Sequence, residues 1–131
     1  ADVSMIDQLK HQVSIWNINS FAEFFMQIFS KYEKDYHKAC SMFIEVRKEF
    51  INKLHTIPYL HVMPTQANFV LCEVLPPFTA NGLALSLLKN DNILVSACCA
   101  KKGIEPDRYV RFAIRSASDN QRLIRALLNL A

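Results

Sequence analysis

Tyr109-Val110-Arg111-Phe112-Ala113-Ile114-Arg115 is the stretch from which the fold is read. Val110, Phe112 and Ile114 fall on one apolar face, and Tyr109, Arg111, Ala113 and Arg115 on the other. A period of two predicts a half-buried strand. Its open face carries two guanidinium groups, whose planar fork matches a carboxylate or phosphate with two parallel hydrogen bonds. The first reading is therefore an anion-reading strand. The competing reading is that both arginines cap a solvent-facing sheet through salt bridges, since most charged side chains are simply solvated.

Working outward, residues 100–108 form a polar loop containing Gly103 and Pro106. Before it, residues 93–98 predict a strand and Asn90-Asp91-Asn92 a turn. Thr79 is placed to cap a helix over 80–90, with Ala80, Ala84, Leu87 and Leu88 facing inward. Residues 67–74 read as a further strand, with Asn68, Val70, Cys72 and Val74 on one side and Phe69, Leu71 and Glu73 on the other. Pro76-Pro77 ends it. Tyr59 to Met63 is a short extended run, broken by Pro64-Thr65-Gln66. Downstream of the arginine strand, Ser118 with Gln121 makes a capping box for a last helix bearing Ile124, Leu127 and Leu128 on one stripe.

The amino-terminal part is helical in pattern. Residues 1–15 carry apolar side chains at helical spacing, and Trp16-Asn17-Ile18-Asn19 reads as an extended connector. Ser20 with Glu23 forms a capping box for a helix over 21–29 that is apolar nearly all round, so it is buried or docks against another surface. Asp35 is expected to cap a longer helix over 36–55, which Pro58 ends. The expected fold class is α+β, a small mainly antiparallel sheet covered by helices. A helical segment (1–55) and a sheet with two helices (59–131) form one domain.

The totals narrow the function classes. The chain has 131 residues, net charge +3 and 51% hydrophobic residues, enough for one core. Cations are interspersed with acids, as in Lys31-Tyr32-Glu33-Lys34-Asp35, which argues against nucleic acid. No apolar run is long enough to span a bilayer. Only two glycines occur, so neither a dinucleotide fingerprint nor a P-loop is present. Cys40, Cys72, Cys98 and Cys99 form no Cys-x-x-Cys pair. They read as reduced thiols of a cytoplasmic protein, while His37 with Cys40 would be the metal alternative.

Three segments together resemble the carboxy-terminal small domain of fold-type I pyridoxal-phosphate enzymes, in the histidinol-phosphate aminotransferase branch. They are Trp16-Asn17-Ile18-Asn19-Ser20, Met63-Pro64-Thr65-Gln66-Ala67-Asn68-Phe69, and Ile93-Leu94-Val95 with the arginine strand and Asn120-Gln121-Arg122-Leu123. The last group is most similar to threonine-phosphate decarboxylase. The resemblance implies an aminotransferase of amino-acid metabolism whose Arg111 binds the substrate α-carboxylate. Asn68, Ser96 and Arg115 are secondary candidates. At about 3.3 Å per residue, Arg115 lies about 13 Å from Arg111 along a strand, and reads as a surface or interdomain pair.

Two departures stand out. The family commonly has an arginine where Ser96 stands, and a neutral hydroxyl does not replace that charge for a phosphate-bearing substrate; Lys101 and Lys102 are the nearest substitutes in sequence. The lysine that anchors pyridoxal phosphate, and the carboxylate at its pyridine nitrogen, lie in the family on a large domain upstream. The resemblance thus implies a piece of a larger enzyme, homodimeric when complete, with no catalytic residue of its own and no activity alone. Two alternatives remain: a decarboxylase domain, and a freestanding interaction module that has lost the chemistry. In neither is a metal, nucleic acid or membrane expected.

Overall fold

The computed structural model describes residues 2–12, 18–99 and 103–130. Trp16, Asn17, Lys101 and Lys102 lie outside them. The chain divides into two compact units, Ala1–Cys40 and Ser41–Ala131. The first holds α1 (Val3–Gln12), α2 (Ser20–Ile28), a 3₁₀ turn (Phe29–Lys31) and the start of α3 (Glu33–Leu54). Asn19, not Ser20, caps α2: its side chain accepts the Ala22 N–H at 2.9 Å. α3 begins before Asp35, which sits in the first turn with Glu33, where carboxylates complement the helix dipole. α2 buries no residue within its own unit, and Phe21 is 88% exposed.

The second unit contains β1 (Leu60–Val62), β2 (Phe69–Val74), α4 (Ala80–Asp91), β3 (Ser96–Ala97), β4 (Tyr109–Ala113) and α5 (Ala117–Leu128). The sheet order is β1-β2-β4-β3, and every neighbouring pair is antiparallel. The fold is therefore α+β, as the sequence predicts. Val70, Cys72 and Val74 of β2 and Val110 and Phe112 of β4 are buried with Phe50 and Leu54 of α3, Leu83 and Leu87 of α4, and Leu123, Ile124 and Leu127 of α5. Each such side chain contributes about 1.5–3 kcal/mol when fully buried. No helix among the described residues is long and apolar enough to cross a membrane.

Four expectations need correction. The strand predicted over 93–98 shrinks to Ser96–Ala97. Asn92 closes α4 in the left-handed region (φ 53°), and Ile93 N–H bonds to the Leu87 carbonyl at 3.0 Å, so the following residues complete a helix cap instead of pairing. In α4 the buried row is Ala80, Leu83 and Leu87, while Leu88 is exposed. α5 is capped by Ser116, whose hydroxyl accepts the Asp119 N–H at 3.2 Å, and not by Ser118. Its packed face holds Leu123 inward and leaves Leu128 outward.

β4 ends at Ala113, and two residues on Asn120 takes up the backbone of Arg115. Its buried carboxamide accepts the Arg115 N–H at 2.9 Å and donates to the Arg115 carbonyl at 3.0 Å. Asn120→Ala would leave both groups without these bonds, and is expected to lower stability by about 1–3 kcal/mol in urea unfolding. A second prediction concerns alkaline pH. Burial pushes the Cys72 thiol and the Tyr59 phenol up to about 12. Both are held neutral in the fold, so their contribution is complete below about pH 9, the unfolded thiol value, and is lost as pH rises towards 12. Cys72→Ala should make the fall in stability between pH 9 and pH 12 shallower than in the parent chain.

Candidate functional site

The alternation that buries Val110 and Phe112 turns Tyr109, Arg111 and Ala113 to the opposite, open face of the sheet. β2 sends Phe69, Leu71 and Glu73 to that face, where they are half-buried. The antiparallel register then makes rows across it. Leu71, Arg111 and Ser96 stand in one row, on three successive strands. His61, Glu73 and Tyr109 stand in a second, and Phe69 lies opposite Ala113 in a third. Directly opposed residues have Cβ atoms about 4.5–5.5 Å apart. The structure therefore brings Ser96 and Arg111 side by side, both exposed.

Arg111 differs from the other cations near it. Its guanidinium carbon lies 5.2 Å from the centroid of the Phe69 ring. Among the described residues no carboxylate pairs with it. Arg108, by contrast, donates from Nε to Glu73 at 2.6 Å and from Nη1 to Glu105 at 2.8 Å. The hydrogen bond to Glu73 is the chief reason its pKa is raised. Glu73 is also 3.2 Å from His61 Nδ1. This cluster is charge-satisfied within itself.

The remaining predicted residues lie elsewhere. Arg115 Nε contacts Asp119 at 3.1 Å on the surface. A hydrogen bond with Ser116, then that with Arg115, holds the Asp119 carboxyl below its ordinary range. Arg115 lines a groove of about 310 Å3 with Asn92, Leu94, Asp119 and Arg122, away from the row of Arg111. The Arg122 guanidinium donates to the Asp91 carbonyl. Asn68 precedes β2 and contributes its backbone carbonyl, which accepts the Ile114 N–H at 3.0 Å. The His37–Cys40 pair shows other partners: His37 Nε2 is 3.7 Å from Glu33, and Cys40 engages Tyr36, raising the Tyr36 pKa. Among the described residues no three His, Cys, Asp or Glu side chains are grouped to hold a metal ion.

Sequence reading missed the Phe69–Arg111 contact and the Glu73–Arg108 pair. The signal for both was the shared strand face, which alternation gives; the register that joins the strands is not written in either segment. Chemically, the open face offers one guanidinium whose fork is not taken by an acid, beside a hydroxyl and apolar walls. It can bind and orient one carboxylate. Its strands carry no lysine, and its half-buried carboxylate, Glu73, is already engaged. The face therefore does not fit pyridoxal phosphate as a holder of the cofactor.

The family model described as "Aminotransferase class I and II" matches residues 2–127. A solved decarboxylase from Sulfurospirillum multivorans superposes with a TM-score of 0.80 at 28% identity, covering 98% of this chain and 37% of that one. The histidinol-phosphate aminotransferase from Clostridium acetobutylicum gives a TM-score of 0.77 at 32% identity, covering 97% and 37%. The CMP-5'-(3-aminopropyl)phosphonate synthase of Streptomyces rubellomurinus is 28% identical over 99% of this chain and 21% of its own length. The chain thus spans well under half the length of each of these relatives.

Two substitutions separate the satisfied charges from one another. Arg108→Ala removes the closest donor to Glu73, and should lower the urea-unfolding midpoint measurably without changing the slope. Arg115→Ala breaks only an exposed pair, and should change stability by no more than about 0.5 kcal/mol.

Proposed function

Because the chain belongs to the aminotransferase class I and II family, we propose that it is the small, substrate-facing domain of a pyridoxal-phosphate aminotransferase, with Arg111 binding the amino-acid α-carboxylate. One observation carries this reading: an exposed guanidinium, with no acid partner among the described residues, in the middle of an open sheet face. A bidentate pair on a strand fixes both the position and the plane of a carboxylate, and so directs the substituents on the neighbouring carbon. Leu71 on one side and Ser96 on the other leave the fork no competing charge in its row.

Pyridoxal phosphate supplies the electron sink for amino-group chemistry. Its lysine and its pyridine-nitrogen partner belong, on this reading, to a large domain of the same polypeptide, and the complete enzyme is a cytoplasmic homodimer. The chain's own part is substrate recognition, so by itself it binds without turnover. In its own row Arg111 has only Leu71 and the neutral Ser96 for neighbours, so a phosphate on the substrate would find no second cation in that row. That favours substrates whose only anionic group here is the carboxylate.

Decarboxylation is the second reading, favoured by the similarity to the Sulfurospirillum multivorans decarboxylase over 98% of the chain. The products separate the two: a keto acid from transamination, an amine and carbon dioxide from decarboxylation. In the full-length enzyme, Arg111→Ala should lower kcat/KM for the amino acid by on the order of 10²-fold, the equivalent of about 3 kcal/mol for two charge-assisted hydrogen bonds. Pyridoxal phosphate stoichiometry, read from its absorbance, should not change. An unaltered kcat/KM would remove Arg111 from the site.

A further inference from the structure

On the reading that Arg111 holds a carboxylate, we propose that Phe69 is a positioning residue whose ring sets the direction of the Arg111 fork. An exposed arginine has many rotamers, and a bidentate contact needs one of them. Salt bridges restrict Arg108 and Arg115, but an acid on Arg111 would occupy the very N–H groups that a substrate needs. An aromatic ring does not. It takes the π-face of the guanidinium, and the in-plane N–H groups stay available.

The register shows why these two side chains meet. Phe69 is opposite Ala113, and Arg111 is opposite Leu71, so Phe69 and Arg111 are diagonal neighbours on the open face. Diagonal neighbours are about 7–8 Å apart at the backbone, within reach of an aromatic ring and a long side chain. The small methyl of Ala113 leaves the ring room to lean towards Arg111, and the guanidinium carbon is 5.2 Å from its centroid.

The ring's backbone is itself held. The Thr65 hydroxyl donates to the Phe69 carbonyl at 3.0 Å and accepts the Ala67 N–H at 3.0 Å. Arg47, on α3, donates to the carbonyl of Gln66 and to that of Ala67, the latter at 3.4 Å. The turn leading into β2 is thus fastened to a helix that also contributes Phe50 and Leu54 to the core. Arg47 and Thr65 fix the turn, the turn fixes Phe69, and Phe69 aims Arg111.

The test is a double-mutant cycle in the full-length enzyme. Phe69→Leu should raise KM for the amino acid about two- to fivefold, the range of an exposed cation–π contact, with kcat and cofactor stoichiometry unchanged. Phe69→Tyr, which keeps the ring, should restore KM to within about twofold of the parent. In an Arg111→Ala background, Phe69→Leu should have no further effect on kcat/KM. An unchanged KM in Phe69→Leu, equal damage from leucine and tyrosine, or an effect that persists without Arg111 would overturn the proposal. If Arg111→Ala alone leaves kcat/KM intact, the carboxylate reading fails first and this one with it, a pattern distinct from the others.

Discussion

β2 and β4 pair in one register across five residues, with Val70 opposite Phe112 and Cys72 opposite Val110 on the inner face. All four are fully buried. The same register places Leu71 opposite Arg111 on the outer face. A slip of one residue would exchange the faces, exposing Phe112 and driving an unpaired guanidinium into the core. The hydrophobic demand of the inner face thus determines the polar composition of the outer one. The arrangement of the open face is a consequence of core packing, with Phe112 buried among side chains of the helices.

The arginines show a division of labour. Arg47 fastens the turn before β2, Arg108 neutralises Glu73, Arg115 pairs with Asp119, and Arg122 reaches the end of α4. Each is used by the fold. Arg111 rests on Phe69, which orders it without consuming its hydrogen-bonding capacity. The proposed carboxylate-binding role rests on that difference more than on exposure. The face also lacks a lysine on its strands, so on the proposed reading its part is recognition, and the reaction would depend on groups brought by other parts of a larger polypeptide.

Much of the fold was legible because alternation and helical periodicity are local. The inner residues of β2 and β4, the Thr79 cap and the antiparallel α+β class follow from them. What was not legible depends on choices between adjacent residues or on distant partners. Ser116 and Ser118 are both competent caps, and the bond of Asn120 to the Arg115 backbone decides between helix starts. Asn19 displaces Ser20 because its carboxamide oxygen takes the Ala22 N–H, which leaves Ser20 as the first residue of the helix. β3 shortens because Asn92 adopts a left-handed cap that a reading of Ile93-Leu94-Val95 as strand does not anticipate. At the site, Arg111 and Ser96 were both visible as residues. Their adjacency, and the ring beneath the guanidinium, required the register.

The most direct measurement is a crystal structure of the full-length enzyme with its amino-acid substrate or an unreactive analogue bound. Both carboxylate oxygens should lie about 2.7–2.9 Å from two nitrogens of Arg111, with the Phe69 ring still against the guanidinium face. A carboxylate held by another cation, or Arg111 closed by an acid from elsewhere in the polypeptide, would contradict it.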